Sequence, residues 1–336
     1  MNRWIHAAFG LLVLGLVVGI AVGWPRPALT PAPPAGAGAG SLPFTPPDFG
    51  DGTDFGDGTD SGFGNGNGKR NASPRARGGT TVVPCPEPGP PGRLSVLTFN
   101  IHGGLSPAGY RLDRIADEIR AWDADVVLLQ EVDRGRARTR YDDQPTRLAS
   151  RLGMNVVFGR NVIWPPPAPG RREQEYGTAI LSRLPIQNWS NVALPRQPRQ
   201  EPRGLLRARV AVGGQWVDVY NTHLQHTRGN IRIVQLRAIR QIIAAHPFPV
   251  IVGGDLNATP DSPALAVMRG TLADPWPRVG NGAGLTVPPR VPRRRIDYLL
   301  HGPGWVPTSA RTFVSSVSDH RAVRVEFDLP LPQSCR

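Results

Sequence analysis

The stretch Val250–Asn257, Val-Ile-Val-Gly-Gly-Asp-Leu-Asn, contains the pattern that decides the fold. Three β-branched residues in succession favour a buried strand, and two glycines and a polar Asp-Leu-Asn follow them. We therefore predict a strand at Val250–Val252 that carries Asp255 and Asn257 at its carboxyl end. A rigid sheet holds such loop residues in fixed positions, which is why binding and catalytic groups concentrate there.

The same change from apolar to polar residues recurs along the chain. The predicted strands and the chemically active residues after them are Leu94–Phe99 with Asn100, Val126–Leu129 with Glu131, and Trp216–Tyr220 with His223. Two further polar groups, Asp297 and the pair Asp319-His320, lie near the C-terminus. Other β-type runs are Asn155–Phe158, Thr178–Leu181, Leu205–Val212, Ile296–Leu300 and Ala322–Phe327. So many strand ends bearing Asn, Asp, Glu or His indicate one composite site.

Helical periodicity separates some of these strands. Apolar residues recur at helical spacing in Arg111–Trp122, Pro145–Leu152 and Asn230–Ala245. Strands with interspersed helices predict an α/β protein in which layered sheets have helices outside them.

The first 84 residues differ in composition from the rest. Trp4–Trp24 is uncharged and mostly apolar, and about 20 such residues are enough to cross a membrane. Residues 1–24 are therefore predicted to be a membrane anchor, with a cleaved signal segment as the alternative. Residues 25–84, rich in Pro and Gly, are predicted to be a disordered linker, and residues 85–336 the catalytic domain. Either reading of residues 1–24 exports that domain, at the cell membrane or as a secreted protein.

Nearly all of the positive charge lies on the catalytic part. The formal net charge is +13, and the six basic and five acidic residues before Cys85 almost cancel. A basic domain favours anionic partners such as phosphodiesters, nucleic acid or phospholipid headgroups. Because Lys69 is the sole lysine, codon bias toward arginine is the alternative explanation of this excess. No protein partner can be inferred from the sequence.

The polar groups and their flanking residues form an ordered set of motifs. These motifs are FN, LLQE, YGTAILSR, NTHL, GDLN, RIDY and SDHRAV, between Leu94 and Leu329. Together they resemble the endonuclease/exonuclease/phosphatase superfamily, which includes deoxyribonuclease I and bacterial sphingomyelinases. The resemblance implies a four-layer α/β sandwich with two face-to-face mixed β-sheets flanked by helices.

The resemblance also implies roles for individual residues in a metal-dependent phosphoester hydrolase. The implied catalytic residues are His223, Asp255, Asn257, Asp297 and His320. The implied ligands of Mg²⁺, with Mn²⁺ as an alternative metal, are Asn100, Glu131 and Asp319. In this scheme Asp255 deprotonates water, and Asp297 fixes the tautomer of His320. Tyr176 and Arg203 are predicted to contact the substrate.

The branch of the superfamily is left open by the motifs. The abasic-site endonucleases have no histidine at the position of His223. Thr178 occupies the position at which deoxyribonuclease I has a glutamate. The run Thr222–Gln225 resembles bacterial sphingomyelinases. We predict a phosphodiesterase acting on nucleic acid or a lipid headgroup. The alternatives are a phosphomonoesterase of soluble phosphorylated metabolites and a catalytically inactive anion-binding module.

Overall fold

The computed structural model describes residues 92–227, 229–246 and 248–329, all of them within the predicted catalytic domain. The predicted N-terminal segment, 1–24, and the predicted linker, 25–84, lie outside these described residues. Within the described ranges, no helix has the length and apolar character needed to cross a membrane.

The described residues alternate strands with a few helices. The strands are β1 (Gly92–Asn100), β2 (Leu105–Ser106), β3 (Gly109–Tyr110), β4 (Val126–Arg134), β5 (Asn155–Trp164), β6 (Gln174–Ser182), β7 (Asn188–Ala193), β8 (Gly204–Val212), β9 (Gln215–His223), β10 (Val250–Asp255), β11 (Asp297–His301), β12 (Val306–Val314) and β13 (Arg321–Leu329). The helices are α1 (Leu112–Trp122), α2 (Gln144–Leu152), α3 (Gly229–Ala244), α4 (Pro263–Ala266) and α5 (Trp276–Val279).

Two large sheets contain eleven of these strands, and each sheet is mixed. The first has the order β12-β13-β1-β4-β6-β5, in which β1 and β4 are parallel. The second has the order β11-β10-β9-β8-β7, in which β9 and β10 are parallel. In each sheet a helix, α1 or α3, lies in sequence between the two parallel strands, as a parallel connection requires. The carboxyl ends of each parallel pair therefore point the same way.

Apolar side chains fill the space between the two sheets and the space under the helices. The inter-sheet core combines residues of both sheets, such as Leu128 and Ile180 with Val210 and Val219. A second cluster packs α1 and α2 against the first sheet, and a third packs α3 and α4 against the second. This arrangement is the predicted sandwich of two sheets with helices outside, and the fold class is confirmed.

The sequence patterns located nine of the strands and the helices α1, α2 and α3, but they missed the two-residue strands β2 and β3, the four-residue helices α4 and α5, and two strands of the large sheets. These strands, β7 and β12, lie at the edges of the two sheets. β7 has no buried residue, and β12 contains Pro307 beside an irregularity in its pairing with β13. An edge strand pairs on one side only, and proline is tolerated there. The apolar alternation that identifies a strand is therefore weak in both.

A β-bulge interrupts the regular pairing of β4 at Glu131. The pairing of β4 with β6 shifts between Leu129 and Val132, and Glu131, inside the shift, has φ of 56°. A left-handed backbone costs a residue with a Cβ about 1–2 kcal/mol. Surrounding contacts must therefore hold the bulge in place.

The side chain of Asn221, from the opposite sheet, provides such contacts. Its Nδ2 donates to the carbonyl oxygens of Leu129 (2.9 Å) and Ala179 (2.8 Å), which are paired across β4 and β6. Its Oδ1 accepts a hydrogen bond of 2.7 Å from Gln130 Nε2. All of these groups are buried. One amide therefore ties both sheets together directly beside Glu131.

We expect a double-mutant cycle to detect this tie. Asn221→Leu and Gln130→Met should each lower the free energy of unfolding by about 1–3 kcal/mol, because each leaves buried polar groups unsatisfied. The double variant should lose about 1 kcal/mol less than the sum, since the two side chains no longer leave each other unpaired. Urea unfolding measures all three values.

Val210→Ala combined with Gln130→Met is the matched control. Val210 belongs to the same inter-sheet core but makes no hydrogen bond to Gln130, so this pair should be additive within about 0.5 kcal/mol. Strict additivity in the Asn221 cycle would show that the amide does not act through Gln130.

Candidate active site

Three nitrogen atoms from distant parts of the chain surround one carboxylate oxygen, Asp255 Oδ2. Asn100 Nδ2 lies at 3.2 Å, His223 Nε2 at 3.5 Å and His320 Nε2 at 3.7 Å. Asn100 ends β1, His223 ends β9 and Asp255 ends β10. The carboxyl ends of the two parallel pairs therefore meet, and both sheets contribute to one site.

The backbone around Asp255 is shaped for this position. Gly254 has φ of 137°, and a Cβ there would lie 1.8 Å from the carbonyl oxygen of Thr222, so a side chain does not fit. Asp255 Oδ1 accepts a 2.9 Å hydrogen bond from the backbone N–H of Asn257, whose φ is 49°. Asn257 Nδ2 donates to the carbonyl of Leu224 at 3.0 Å. The Oδ1 of Asn257 is thereby turned away from that carbonyl and can accept a further hydrogen bond.

The charge state of Asp255 is governed by its burial. Its side chain is 2% exposed. Burial, together with the negative charge of Asp297, raises the pKa of Asp255 to about 7, against opposing contributions from His320 and the N–H of Asn257. A carboxylate with such a pKa can accept a proton near neutral pH.

His320 is held by Asp297. Its Nδ1 lies 2.9 Å from Asp297 Oδ2 and 3.1 Å from Oδ1, so Nδ1 carries the donated proton and Nε2 faces Asp255. Burial disfavours the charged imidazole, but the charge and hydrogen bond of Asp297 outweigh it and raise the pKa of His320 to about 10. The imidazole is therefore protonated at neutral pH.

His223 has the opposite charge state. Burial, followed by the positive charge of Arg203, lowers its pKa well below the usual value. Arg203 Nη1 lies 2.8 Å from His223 Nδ1, and a guanidinium can only donate. Nδ1 is therefore the acceptor, and the proton of the neutral ring lies on Nε2, directed at Asp255. Arg203 itself is buried and also contacts Glu201 Oε1 at 2.9 Å, so it supports His223, and direct contact with substrate stays a prediction.

The predicted metal ligands form a neighbouring group. Asn100 Nδ2 also donates to Glu131 Oε1 at 3.0 Å. His102 Nδ1 lies between two carboxylates, 3.6 Å from Glu131 Oε2 and 3.6 Å from Asp319 Oδ1. Although burial opposes it, the hydrogen bonds of His102 and Asn100 hold the pKa of Glu131 well below its usual range. Glu131 therefore stays ionised.

The orientation of the Asn100 amide is set by the backbone. Its Oδ1 accepts a 3.0 Å hydrogen bond from the N–H of His102, so the amide nitrogen faces both Glu131 and Asp255. In this arrangement Asn100 holds two carboxylates close together, and its role as a metal ligand stays a prediction.

Two sets of side chains offer atoms to a cation, and their chemistry differs. Ligand atoms of Asp255, Asp297 and His320 lie within 4.8 Å of one another. Asp297, however, is already hydrogen-bonded to the protonated His320, whose charge would repel a cation. Glu131, whose carboxylate stays ionised, and Asp319 flank the imidazole of His102, which is 44% exposed, and hard oxygen ligands of this kind suit Mg²⁺. The residues therefore fit a divalent cation at Glu131 and a proton at the Asp–His set.

These groups open into a cavity of about 440 Å³. Its lining residues are Glu131, Arg136, Arg138, Trp164, Tyr176, Glu201, Arg203, His223, His226, Asp255, Asn257 and His320. Tyr176 is buried, and burial, followed by the charge of Glu131, raises its pKa above the usual range. Its hydroxyl therefore stays protonated. The sequence-predicted residues Asn100 and Asp297 lie behind this lining, in contact with Asp255 and His320, whereas Asp319 precedes His320 in the chain and lies 3.6 Å from His102 Nδ1.

Sequence reasoning missed two contributors to the site. His102 follows the FN motif and has no role in the sequence prediction, yet it lies between Glu131 and Asp319. Asn221 belongs to the NTHL motif but received no role, although its side chain braces the bulge that carries Glu131. In both cases the signal was adjacency to a motif, which does not tell which way a side chain points.

Comparison with known proteins places these observations in a family. A sequence model of the Endonuclease/Exonuclease/phosphatase family matches residues 97–320. The chain is 29% identical over 255 residues to the uncharacterized protein YbhP of Escherichia coli (strain K12), which covers 70% of this chain and 96% of that protein.

Solved structures agree with this match. An endonuclease/exonuclease/phosphatase from Beutenbergia cavernae DSM 12333 is 29% identical, with a TM-score of 0.59 over 71% of this chain and 72% of that one. The mannosyl-6-phosphatase Bt3783 of Bacteroides thetaiotaomicron VPI-5482 has the same fold at 17% identity, with a TM-score of 0.58 over 70% and 99% of the two chains. The chain therefore belongs to the endonuclease/exonuclease/phosphatase family, whose members are phosphoester hydrolases.

Proposed function

We propose that this protein is a divalent-metal-dependent phosphodiesterase acting on nucleic acid or a lipid headgroup. The observation that carries the proposal is the convergence of Asn100, His223 and His320 on Asp255 Oδ2. A carboxylate that titrates near neutrality beside a protonated imidazole supplies a general base and a general acid within one cavity.

The proposed reaction is in-line attack of water on phosphorus. Asp255 accepts a proton from the water, while Asn257 Oδ1 accepts a hydrogen bond from its other O–H and fixes its orientation. The new P–O bond forms as the bond to the leaving oxygen breaks, and His320 Nε2 donates a proton to that oxygen. His223 Nε2–H donates a hydrogen bond to a phosphoryl oxygen, where negative charge develops.

A divalent cation held at Glu131, with Asp319 and Asn100 as further predicted ligands, would add positive charge beside the phosphoryl oxygens. Mg²⁺ is proposed as this cation because the side chains offer oxygen atoms, and Mn²⁺ accepts the same ligands.

The preference for diesters rests on the shape and charge of the cavity. It extends from the acid–base groups to Arg136 and Trp164, and this extent beyond the acid–base groups favours a substrate with a second ester group. The fold shared with a mannosyl-6-phosphatase favours a phosphomonoesterase as the second candidate. An extracytoplasmic location, anchored or secreted, is part of the proposal and rests on the apolar stretch Trp4–Trp24 alone.

Two chromogenic esters test the function. With Mg²⁺, the full-length chain should hydrolyse bis-p-nitrophenyl phosphate with a kcat/KM at least tenfold higher than that for p-nitrophenyl phosphate, because the cavity accepts the second ester group. Preference for the monoester would support the phosphomonoesterase instead. Turnover of neither ester would leave an anion-binding module.

Removal of the acid or the base should nearly abolish turnover. We expect Asp255→Asn and His320→Asn each to lower kcat by about 10²–10⁴-fold, the usual contribution of a positioned proton-transfer group, with the fold retained by circular dichroism. Asp261→Asn is the matched control, since Asp261 is an exposed carboxylate and its loss should change kcat less than twofold. A kcat near that of the wild type in either site variant would remove the mechanism.

Glu131→Gln should affect metal binding first. The substitution keeps the shape but removes the charge, so the Mg²⁺ concentration for half-maximal activity should rise at least tenfold. Calorimetric titration with Mg²⁺ and with Mn²⁺ should show a parallel rise in Kd. Glu173→Gln, at an exposed position, is the control. An unchanged titration of the Glu131 variant would show that the cation binds elsewhere.

A further inference from the structure

The cavity contains three arginines, and two of them already have anionic partners. Arg138 makes a bidentate pair with the buried Asp133, at 2.7 and 2.9 Å. Arg203 contacts Glu201 and donates to a histidine of the site. Their charges are thus compensated within the protein. The third, Arg136, is different.

Arg136 stacks on an aromatic ring instead of pairing with a carboxylate. Its guanidinium carbon lies 3.6 Å from the ring centroid of Trp164. Among the described residues, its side chain makes no hydrogen bond or ion pair. Partial burial lowers the pKa of Arg136, and Asp133 and Glu201 act on it only at a distance. A half-buried guanidinium that has no carboxylate partner keeps its N–H donors available for a ligand.

The stack is held from both sides by ordered structure. Arg136 follows Gly135, which has φ of 71°, and Arg134 before it is anchored to the buried Glu175. Trp164 is the last residue of β5. Neither side chain therefore depends on a free loop for its position, and little ordering entropy is lost when a ligand binds.

The stacked geometry leaves the N–H donors of Arg136 available to a ligand. Stacking covers one face of the planar group, whereas its N–H donors lie in the plane and point outward. A fork of two such donors matches two oxygens of a phosphate. Arg136 borders the same cavity as Glu131 and Asp255.

We propose that Arg136 and Trp164 form a flanking-phosphate subsite, which binds a second phosphate of the substrate next to the phosphate that is hydrolysed. The proposal rests on the proposed function and narrows it to substrates in which phosphates follow one another, as along a nucleic-acid backbone. The indole keeps the guanidinium in place, and the guanidinium contacts the non-reacting phosphate.

Two nucleotide esters separate this subsite from the reaction itself. Both are p-nitrophenyl esters of thymidine 5′-phosphate, one with a free 3′-hydroxyl and one with a 3′-phosphate, so the reacting bond and the coloured product are the same. In the wild-type full-length chain with Mg²⁺, the 3′-phosphate should lower KM about tenfold and leave kcat within twofold. This advantage should shrink as NaCl increases, because it is electrostatic.

Arg136→Ala should remove the advantage selectively. We expect its KM for the 3′-phosphorylated ester to rise about tenfold, while kcat and KM for the 3′-hydroxyl ester stay within twofold of wild type. Arg136→Lys keeps the charge but not the fork and should lie between the two. Trp164→Ala should weaken the advantage about threefold to fivefold. Arg311→Ala removes the same charge at an exposed position of β12 and should change neither KM.

The outcomes distinguish the subsite from the proposed function. If the wild type hydrolyses neither ester, the proposed function fails. If the wild type hydrolyses both esters with the same KM, or if Arg136→Ala weakens both equally, the subsite is overturned while the phosphodiesterase stands. A selective loss in Arg136→Ala at an unchanged melting temperature supports it.

Discussion

The carboxylate of Asp255 is the constraint on which the site depends. It is buried at the strand ends where the two sheets meet. A buried charge is stable only with hydrogen-bond donors around it. Asn100 and His223 come from different sheets. Asn100 Nδ2 donates to one of its oxygens, His223 Nε2 lies 3.5 Å from the same oxygen, and the backbone N–H of Asn257 donates to the other. Because this buried carboxylate needs hydrogen-bond donors, the strand ends that provide them lie together although they are far apart in sequence.

Local backbone strain accompanies this convergence. Glu131 and Asn257 both have positive φ, a conformation that residues with a Cβ adopt only where the surroundings enforce it. For Glu131 the enforcing contact comes from the opposite sheet, through Asn221 and the carbonyls of Leu129 and Ala179. The inter-sheet core thus contains a polar link directly below the site, so packing and function are coupled at this point.

Ion pairs within the protein fix the positions of several arginines in and near the cavity, although the domain has a net positive charge. Arg134, Arg138 and Arg203 are paired with carboxylates of the protein, which fixes their positions. Of the arginines that follow Glu131, Arg134 and Arg138 are thus compensated within the protein, so the net charge alone overstates the positive field in the cavity. The cavity is lined by a small number of donors with defined directions, among them the two imidazoles of His223 and His320.

The sequence by itself determined the fold class and most strand and helix positions, and it predicted site residues that the fold brings together, because apolar periodicity and ordered polar strand ends are local features. It did not identify the edge strands β7 and β12, whose patterns are weakened by solvent exposure. Only the tertiary structure decided the proton positions on His223 and His320, the place of His102 between two carboxylates, and the pairing of each arginine. These properties depend on distances between side chains from different strands, and a linear pattern contains no such distances.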